Sequence, residues 1–344
     1  MKYHTYTEII DQAVTWEKTI GALQQQVDAL NALPQSATIF TGCGSPHYLS
    51  YTAAAAYREL TGRPAYFHPA SEIWLYPEST LAGMDETTLF VVSRSGETTE
   101  VLRAVEVFQE QVGNTVLGVT CYPEAPLAKD LKPMLVAQDS QEIGLAQTRS
   151  FSNMLLLTLS YCYAAAGRDL SEGFKALPRH AASVISKNQS LIETIGSDTS
   201  IEQYYFLGSH ANYGIASEGM LKMKEMSLSY AEGYHFMEFR HGPMSMVNDK
   251  TLIIGLVSRR SAAKELAVLR EMQKMGARIL AVVPGEVGGG EFNATVTLPP
   301  DLSDIERVPL HLPVIQMLAY YRTLAKGLNP DTPANLNMVV HLDA

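Results

Sequence analysis

Short apolar runs alternate with longer stretches of helical period along most of this 344-residue chain. The opening segment, Thr7 to Leu33, carries Ile9, Ile10, Val14, Ile20, Leu23, Val27, Leu30 and Leu33 at roughly helical spacing and stops at Pro34, which predicts a leading helix with a break near Gly21. Its expected role is packing or dimer contact. Ala37-Thr38-Ile39-Phe40-Thr41 then reads as a strand running into Gly42-Cys43-Gly44-Ser45-Pro46, and Tyr48 to Leu60 as an alanine-rich helix ended by Gly62-Arg63-Pro64. Ala65-Tyr66-Phe67 offers a second strand before a loop around Glu72, and Leu89-Phe90-Val91-Val92 a third, followed by a helix from Glu97 to Val112. Thr115 to Thr120 and Pro133 to Val136 continue the series, and Ser150 to Ala166 is an apolar helix. This alternation predicts an α/β fold with a parallel sheet flanked by helices, binding ligands at the carboxyl ends of its strands.

The pattern then repeats. Tyr204-Tyr205-Phe206-Leu207-Gly208-Ser209-His210 and the helix from Ile215 mirror the strand, glycine loop and helix at Thr38 to Gly44. Lys250 to Arg259 mirrors Thr87 to Arg94, and the interval from first glycine to second serine is nearly equal in the two halves. The reading is therefore an N-terminal helical segment (1–34), one α/β domain (35–170), a linker helix region (171–200), a second such domain (201–330) and a C-terminal tail (331–344) expected to close over the site.

Composition bounds what these domains do. A chain of this length exceeds one domain of ~100–200 residues, and 46% hydrophobic residues supply an ample core. No apolar run reaches the ~18 residues of a membrane span, and no signal-peptide segment opens the chain, so a soluble, cytoplasmic protein without a membrane partner is expected. Cys43, Cys121 and Cys162 form neither a metal spacing nor an even disulfide set. Cys43 is read as a small residue of the glycine loop. A net charge of −10 argues against a nucleic-acid partner, so an anionic ligand must be held by a local site.

Candidate chemistry begins where the third strand ends. Ser93-Arg94-Ser95-Gly96-Glu97-Thr98 joins a strand to a helix start, gathering backbone N–H groups, hydroxyls and the positive end of a helix dipole, and Arg94 adds a charge. Helix capping alone would also explain the serines and threonine. The counterpart, Ser258-Arg259-Arg260-Ser261-Ala262-Ala263, lacks the glycine and threonine, which places the anion in the first half. In the second half Glu218, Lys222 and Glu225 share a helix face, with Ile215, Leu221 and Leu228 available for packing. The plain alternative is a surface ion pair of ~0.3–0.5 kcal/mol. Glu232 to Pro243 reads as a loop dense in titratable and aromatic side chains, and Tyr234 to Phe239 offers a surface for a larger aglycone. A carboxylate and a histidine there suit proton transfer between adjacent carbons of a sugar.

Six ordered motifs now resemble the sugar isomerase (SIS) domain family. They are Gly42-Cys43-Gly44-Ser45, Ser93 to Thr98, Glu142 to Phe151, Glu218 to Glu225, Arg240-His241-Gly242-Pro243, and Lys326-Gly327 through Asp331 to Leu336, in the order seen in the isomerase half of glucosamine-6-phosphate synthase. The resemblance implies two tandem flavodoxin-like SIS domains in a homodimer that binds a sugar 6-phosphate and needs no metal or organic cofactor. It implies that Gly44, Ser45, Ser93, Arg94, Ser95, Gly96 and Thr98 bind substrate, the hydroxyls of the second loop holding the phosphate, and that Gln147 contacts the sugar. By the same resemblance Glu225 moves the proton between C1 and C2, Lys222 stabilises the enediol-like intermediate, and His241, donated across the dimer interface, serves ring opening.

The departures from that pattern are specific. The synthase's amide-transfer half is not in this sequence, so glutamine-dependent amination is not expected. Asn337-Met338 stands where the synthase has its Schiff-base lysine, and methionine cannot form an imine. Pro46 replaces a serine that touches the sugar, and Arg149 a lysine. The expectation is an aldose–ketose isomerase for a C6-anionic sugar or amino sugar. Two alternatives stand beside it: an amino-sugar-phosphate deaminase or fructosamine-phosphate deglycase, and a non-catalytic sugar-phosphate-binding regulator.

Overall fold

The computed structural model describes residues 3–23, 30, 36–113, 115–340 and 342, and the chain forms two compact units, each built on a five-stranded sheet. Helices α1 (His4–Ile10) and α2 (Gln12–Leu23) occupy the leading segment. The break falls at Asp11, while Gly21, where it was expected, lies inside α2. Gln12 Nε2 donates to the Ile9 carbonyl at 2.9 Å, so a side chain takes an acceptor of the last turn and ends the ladder there. Residues 24–29 and 31–35, including the predicted stop at Pro34, lie outside the described residues.

One unit comprises Val14–Glu142, Arg149–Ser171 and Asn337–Ala344. It holds β1 (Ala37–Gly42), α3 (Ser45–Thr61), β2 (Ala65–Pro69), β3 (Thr87–Val92), α4 (Thr99–Gln111), β4 (Val116–Thr120), β5 (Met134–Val136) and α5 (Arg149–Ala165). The strands are parallel throughout, in the order β2-β1-β3-β4-β5. β3 is buried along its whole length, as a central parallel strand covered on both faces must be. On one face Phe40 and Phe90 meet Tyr57 of α3 and Tyr161 of α5, the Phe90 and Tyr161 rings 4.8 Å apart. On the other, Ile39, Leu89 and Val91 pack with Val101, Ala104 and Phe108 of α4. Two pairs of polar groups inside are bonded: Tyr161 Oη lies 2.9 Å from Thr38 Oγ1, and Trp16 Nε1 donates to Ser152 Oγ at 2.9 Å. The chain leaves β1 toward β2 and β3 toward β4, so the loops following β1 and β3 diverge and open a crevice at the carboxyl edge.

The other unit comprises Met1–Ala13, Ile143–Thr148 and Glu172–Leu336. It holds α6 (Leu177–Gly196), β6 (Gln203–Gly208), α7 (Ala211–Ser227), β7 (Tyr230–His235), β8 (Thr251–Leu256), α8 (Ala262–Lys274), β9 (Arg278–Pro284), β10 (Ala294–Leu298) and α9 (His311–Ala325). Its parallel order, β10-β9-β8-β6-β7, repeats that of the first sheet strand for strand when counted from β6. The duplication legible in the glycine and serine spacing is therefore one of topology. Among the described residues no helix is long and apolar enough to cross a membrane.

Two expectations change here. The stretch from Glu232 is not a loop at its start, because Tyr230–His235 pairs with β6 over six residues and forms an edge strand. Within the aromatic run after it two rings are core, which leaves them unavailable to a larger aglycone, while Met237 is exposed. Phe236 and Phe239 are fully buried, and Phe239 lies 4.9 Å from Tyr205 between ring centroids.

His311, at the start of α9, is completely buried, and burial together with the Arg307 charge pushes its pKa from 6.5 down to about 3. Above about 6.5 neither the folded nor the unfolded chain protonates this ring; as pH falls toward 3 only the unfolded chain does, so stability drains in that window. Urea midpoints should fall over that range, and His311→Gln should flatten the dependence relative to the unsubstituted protein.

Candidate active site

The loop after β3 is a cradle made by its own side chains. Ser93 Oγ accepts from Gly96 N at 3.0 Å and Ser95 Oγ from Glu97 N at 3.2 Å, which curls the backbone between β3 and α4. The Arg94 carbonyl accepts from Cys121 N and Thr120 Oγ1, both at 3.0 Å, tying the curl to the end of β4. Gly96 has φ +65°, and a Cβ there would lie 2.6 Å from Ala125 Cβ, so both the turn and its neighbour require glycine. Thr98, half-buried, stands at the N-cap of α4 without a side-chain capping bond. Across the crevice of the same sheet, Gly44 (φ +62°) is exposed and Ser45 is buried at the first position of α3.

The Arg94 side chain is turned inward. Its Nη2 donates to the Met338 carbonyl at 3.0 Å and its Nη1 lies 3.5 Å from Glu142 Oε2, with the residue only 5% exposed. Glu142 in turn accepts from Ser150 N at 3.2 Å and from Ser150 Oγ. The guanidinium thus joins the loop to Glu142 and Met338 of its own unit. Cys43 is a poor nucleophile, since burial, and then Glu100, push its thiol up to about 12.

The counterpart loop after β8 differs in a telling way. Ser258 N donates to Glu265 Oε2 at 2.7 Å, Ser258 Oγ lies 3.1 Å from the same oxygen, and the Ser209 side chain also bonds to this carboxylate. Arg259 N and Arg260 N donate to the two oxygens of Asp304 at 2.8 and 3.1 Å. Both loops are curled by a serine hydroxyl, Ser258 Oγ accepting from Ser261 N at 3.2 Å as Ser93 Oγ does from Gly96 N, but only the second is also filled by the carboxylates of Glu265 and Asp304. Burial pushes the Glu265 carboxyl above its usual range, against the hydrogen bonds from Ser209 and Ser258. Glu100 follows Ser93 at the same interval as Glu265 follows Ser258, yet Ser93 N bonds the Val119 carbonyl instead.

The polar stripe of α7 is not the surface pair that its spacing allows. Lys222 and Glu218 have fully buried side chains, while Glu225 keeps 18% of its side chain exposed. Lys222 Nζ donates to Glu225 Oε2 at 2.5 Å and lies 3.3 Å from Glu218 Oε1. Burial disfavours the ammonium, but the two carboxylates outweigh that cost and raise its pKa above 10.5. Leu228, expected to pack, is exposed at the left-handed cap of the helix. The stripe itself is buried because α7 packs against β6, β7 and α9, which leaves nearly its whole circumference interior. His241 stands exposed in the turn after Phe236–Phe239, its N–H bonded to the Glu238 carbonyl at 2.9 Å.

Gln147 belongs to the unit of the second sheet; its Oε1 is buried and meets no hydrogen-bond donor among the described residues. Reading by motif located Glu142 without giving it a role, and missed Glu265 and His47. Glu142 and Glu265 organise the two loops, and His47, in the first turn of α3, has a buried Nδ1 without a partner among the described residues. Burial, then the neighbouring His68, lowers the His47 pKa. The parallel intervals to Glu100 and Glu265 were the one signal available for Glu265. Among the described residues no group of histidine, cysteine, aspartate and glutamate side chains could hold a metal ion.

The chain belongs to the SIS domain family, whose pattern matches residues 34–163 and 199–286. It is 28% identical over 348 residues to glutamine–fructose-6-phosphate aminotransferase (isomerizing) of Pyrobaculum aerophilum, covering 98% of this chain and 57% of that protein. The corresponding protein of Methanothermobacter thermautotrophicus is 23% identical over 97% of this chain and 55% of its own length. The chain thus spans little more than half of these relatives. Glucosamine-6-phosphate deaminase of Thermotoga maritima superposes with a TM-score of 0.85 at 27% identity, covering 98% of this chain and 100% of that one. Tagatose-6-phosphate ketose/aldose isomerase of Escherichia coli shares the fold, with a TM-score of 0.85 at 24% identity over 97% and 96% of the two chains.

Replacing Lys222 by Met leaves Glu218 and Glu225 facing each other around an apolar side chain. Loss of one partner from a buried charge cluster costs about 3–5 kcal/mol, so Lys222→Met should lower the urea midpoint strongly, and adding Glu218→Gln should recover part of it. Because the Lys222 pKa is raised on folding, its contribution is present below about 10.5 and is lost only as pH climbs through the folded value. The Met variant should therefore show less alkaline destabilisation than the unsubstituted protein.

Proposed function

We propose that this protein is an enzyme that transfers a proton between C1 and C2 of a sugar or amino sugar carrying an anion, most simply a phosphate, at C6. The observation that carries the reading is the Glu218–Lys222–Glu225 triplet. Of two carboxylates sharing one buried ammonium, Glu225 alone keeps part of its side chain exposed. A carboxylate so held can accept a proton from carbon, and the adjacent Lys222 ammonium favours the negative oxygen of an enediol or enolamine.

In this reading Ser93, Ser95, Gly96 and Thr98 hold the anion, with Gly44 and Ser45 beside them at the switch point of their sheet. Arg94 acts by fixing the loop, since its guanidinium is engaged by Glu142 and Met338. Gln147 bonds a sugar hydroxyl, and His241, supplied by a second copy in a homodimer, opens the ring. With methionine at 338 the chain offers no amine there for an imine, so the ring-opened sugar reacts as the free carbonyl.

The same proton transfer serves two outcomes. Isomerisation between aldose and ketose is the first. Release of ammonia from a 2-amino sugar phosphate, by hydrolysis of the C2 imine that the proton transfer forms, is the second, supported by the likeness to the Thermotoga maritima deaminase over 98% of this chain.

Glu225→Gln should retain binding of a sugar 6-phosphate and lose exchange of the C2 hydrogen with solvent deuterium, read by NMR; persistent exchange would remove Glu225 from the mechanism. Gly96→Ala should weaken binding of both inorganic phosphate and the sugar phosphate by about tenfold or more, through the backbone shift its Cβ forces. Isothermal calorimetry reads that loss, and an enzyme-coupled assay for free ammonia separates the two outcomes.

A further inference from the structure

We infer that Glu8 and Asp331 are positioning residues that hold the Gln147 segment in its substrate-binding shape, an inference that rests on the proposed function. The segment Ile143–Thr148 is grouped with α1 and the second sheet, although it lies in sequence between β5 and α5 of the other unit. It has no regular secondary structure, and its backbone groups are taken up one after another by side chains and by the chain near its C-terminus.

Glu8, on α1 and 3% exposed, accepts from Ile143 N at 2.6 Å through Oε1 and from Gly144 N at 3.3 Å through Oε2. The approach is so close that a Cβ on Gly144 would lie 2.8 Å from Glu8 Oε2 and 2.9 Å from Thr5 Oγ1. Leu145 N donates to the Asp331 carbonyl at 3.1 Å, and the Thr148 carbonyl accepts from Gln316 Nε2 at 3.1 Å. Gln316 is oriented in turn by Gln12, whose Nε2 donates to its Oε1 at 2.9 Å. Backbone groups are thus fixed on both sides of Gln147.

Asp331 also secures the helix that carries Glu8. Its carboxylate accepts from His4 N at 3.0 Å, Thr5 N at 2.8 Å and Thr5 Oγ1 at 2.8 Å, which caps an α1 that has no capping side chain of its own. A seven-residue helix does not persist alone, so this cap, together with packing on α9 such as Tyr6 against Tyr320, lets α1 present Glu8 at a fixed height. A buried carboxylate is an expensive way to hold a loop unless its geometry matters, because charge-assisted bonds to N–H are shorter and more directional than neutral ones. The group so placed is the Gln147 amide, whose buried Oε1 lacks a donor among the described residues. An amide oxygen of this kind takes an O–H donor, which a polyol substrate supplies.

The test combines amide hydrogen exchange with two ligands. In Glu8→Ala the amides of residues 143–148 should exchange faster, KM for the sugar 6-phosphate should rise about tenfold, as expected for one lost charge-assisted bond, and the affinity for inorganic phosphate should stay unchanged. Glu8→Gln, which keeps an acceptor oxygen, should restore most of the KM. Should Glu8→Ala fail to fold, Thr5→Val, which removes one donor to Asp331, should show the same pattern in weaker form. Unaltered exchange in 143–148, or equal weakening toward phosphate and sugar phosphate, would overturn the inference. Exchange is read without ligand, so failure of the unsubstituted protein to bind any sugar phosphate would instead overturn the proposed function.

Discussion

A backbone that leaves a parallel strand and turns sharply exposes N–H groups that the sheet no longer satisfies, and each needs an acceptor. This requirement organises the molecule at its loops. The chain answers it with its own carboxylates in several places: Glu265 and Asp304 after β8, Glu8 at residues 143 and 144, and Asp331 at the start of α1. After β3 it answers with the short hydroxyls of Ser93 and Ser95. A hydroxyl can turn from acceptor to donor, whereas an ionised carboxylate cannot and repels an incoming anion. Two loops of common topology are in this way suited to different company.

The same accounting explains α7. Three ionisable groups in a nearly buried helix are tolerable because each opposite charge is within hydrogen-bonding or ion-pairing reach, and because Glu225 retains a path to solvent. Stability and reactivity meet in Lys222: the ammonium that makes the interior neutral enough to fold is also the group that stabilises negative oxygen in the proposed chemistry.

Much of the fold was legible because its signals are local. Burial on both faces makes β3 and β8 continuous apolar runs, and the glycine loops after β1 and β6 recur with their helices, so the tandem reading needed no long-range information. The edge strands β2 and β5 were read from their short apolar runs, but the edge strand β7 was harder. β7 carries Glu232, Gly233 and His235 among its residues and resembles a polar loop until its pairing with β6 is seen. Motif positions such as Ser93, Lys222 and Gln147 could be named, but not their surroundings. The inward turn of Arg94 depends on Met338, and the setting of Gln147 on Glu8 and Asp331, partners far away in sequence whose meeting no periodicity encodes.

One bond sets an order of events. Thr5 N and Asp331 Oδ1 are 326 residues apart, so α1 cannot be capped until synthesis has passed Asp331. At about 5–20 residues per second, that leaves the first helix waiting tens of seconds on the ribosome, while the sheets behind it already have their strands. The segment around Gln147 waits with it, its anchors being Glu8, Asp331 and Gln316. A nascent chain would therefore hold the strands of both sheets before the segment around Gln147 was anchored.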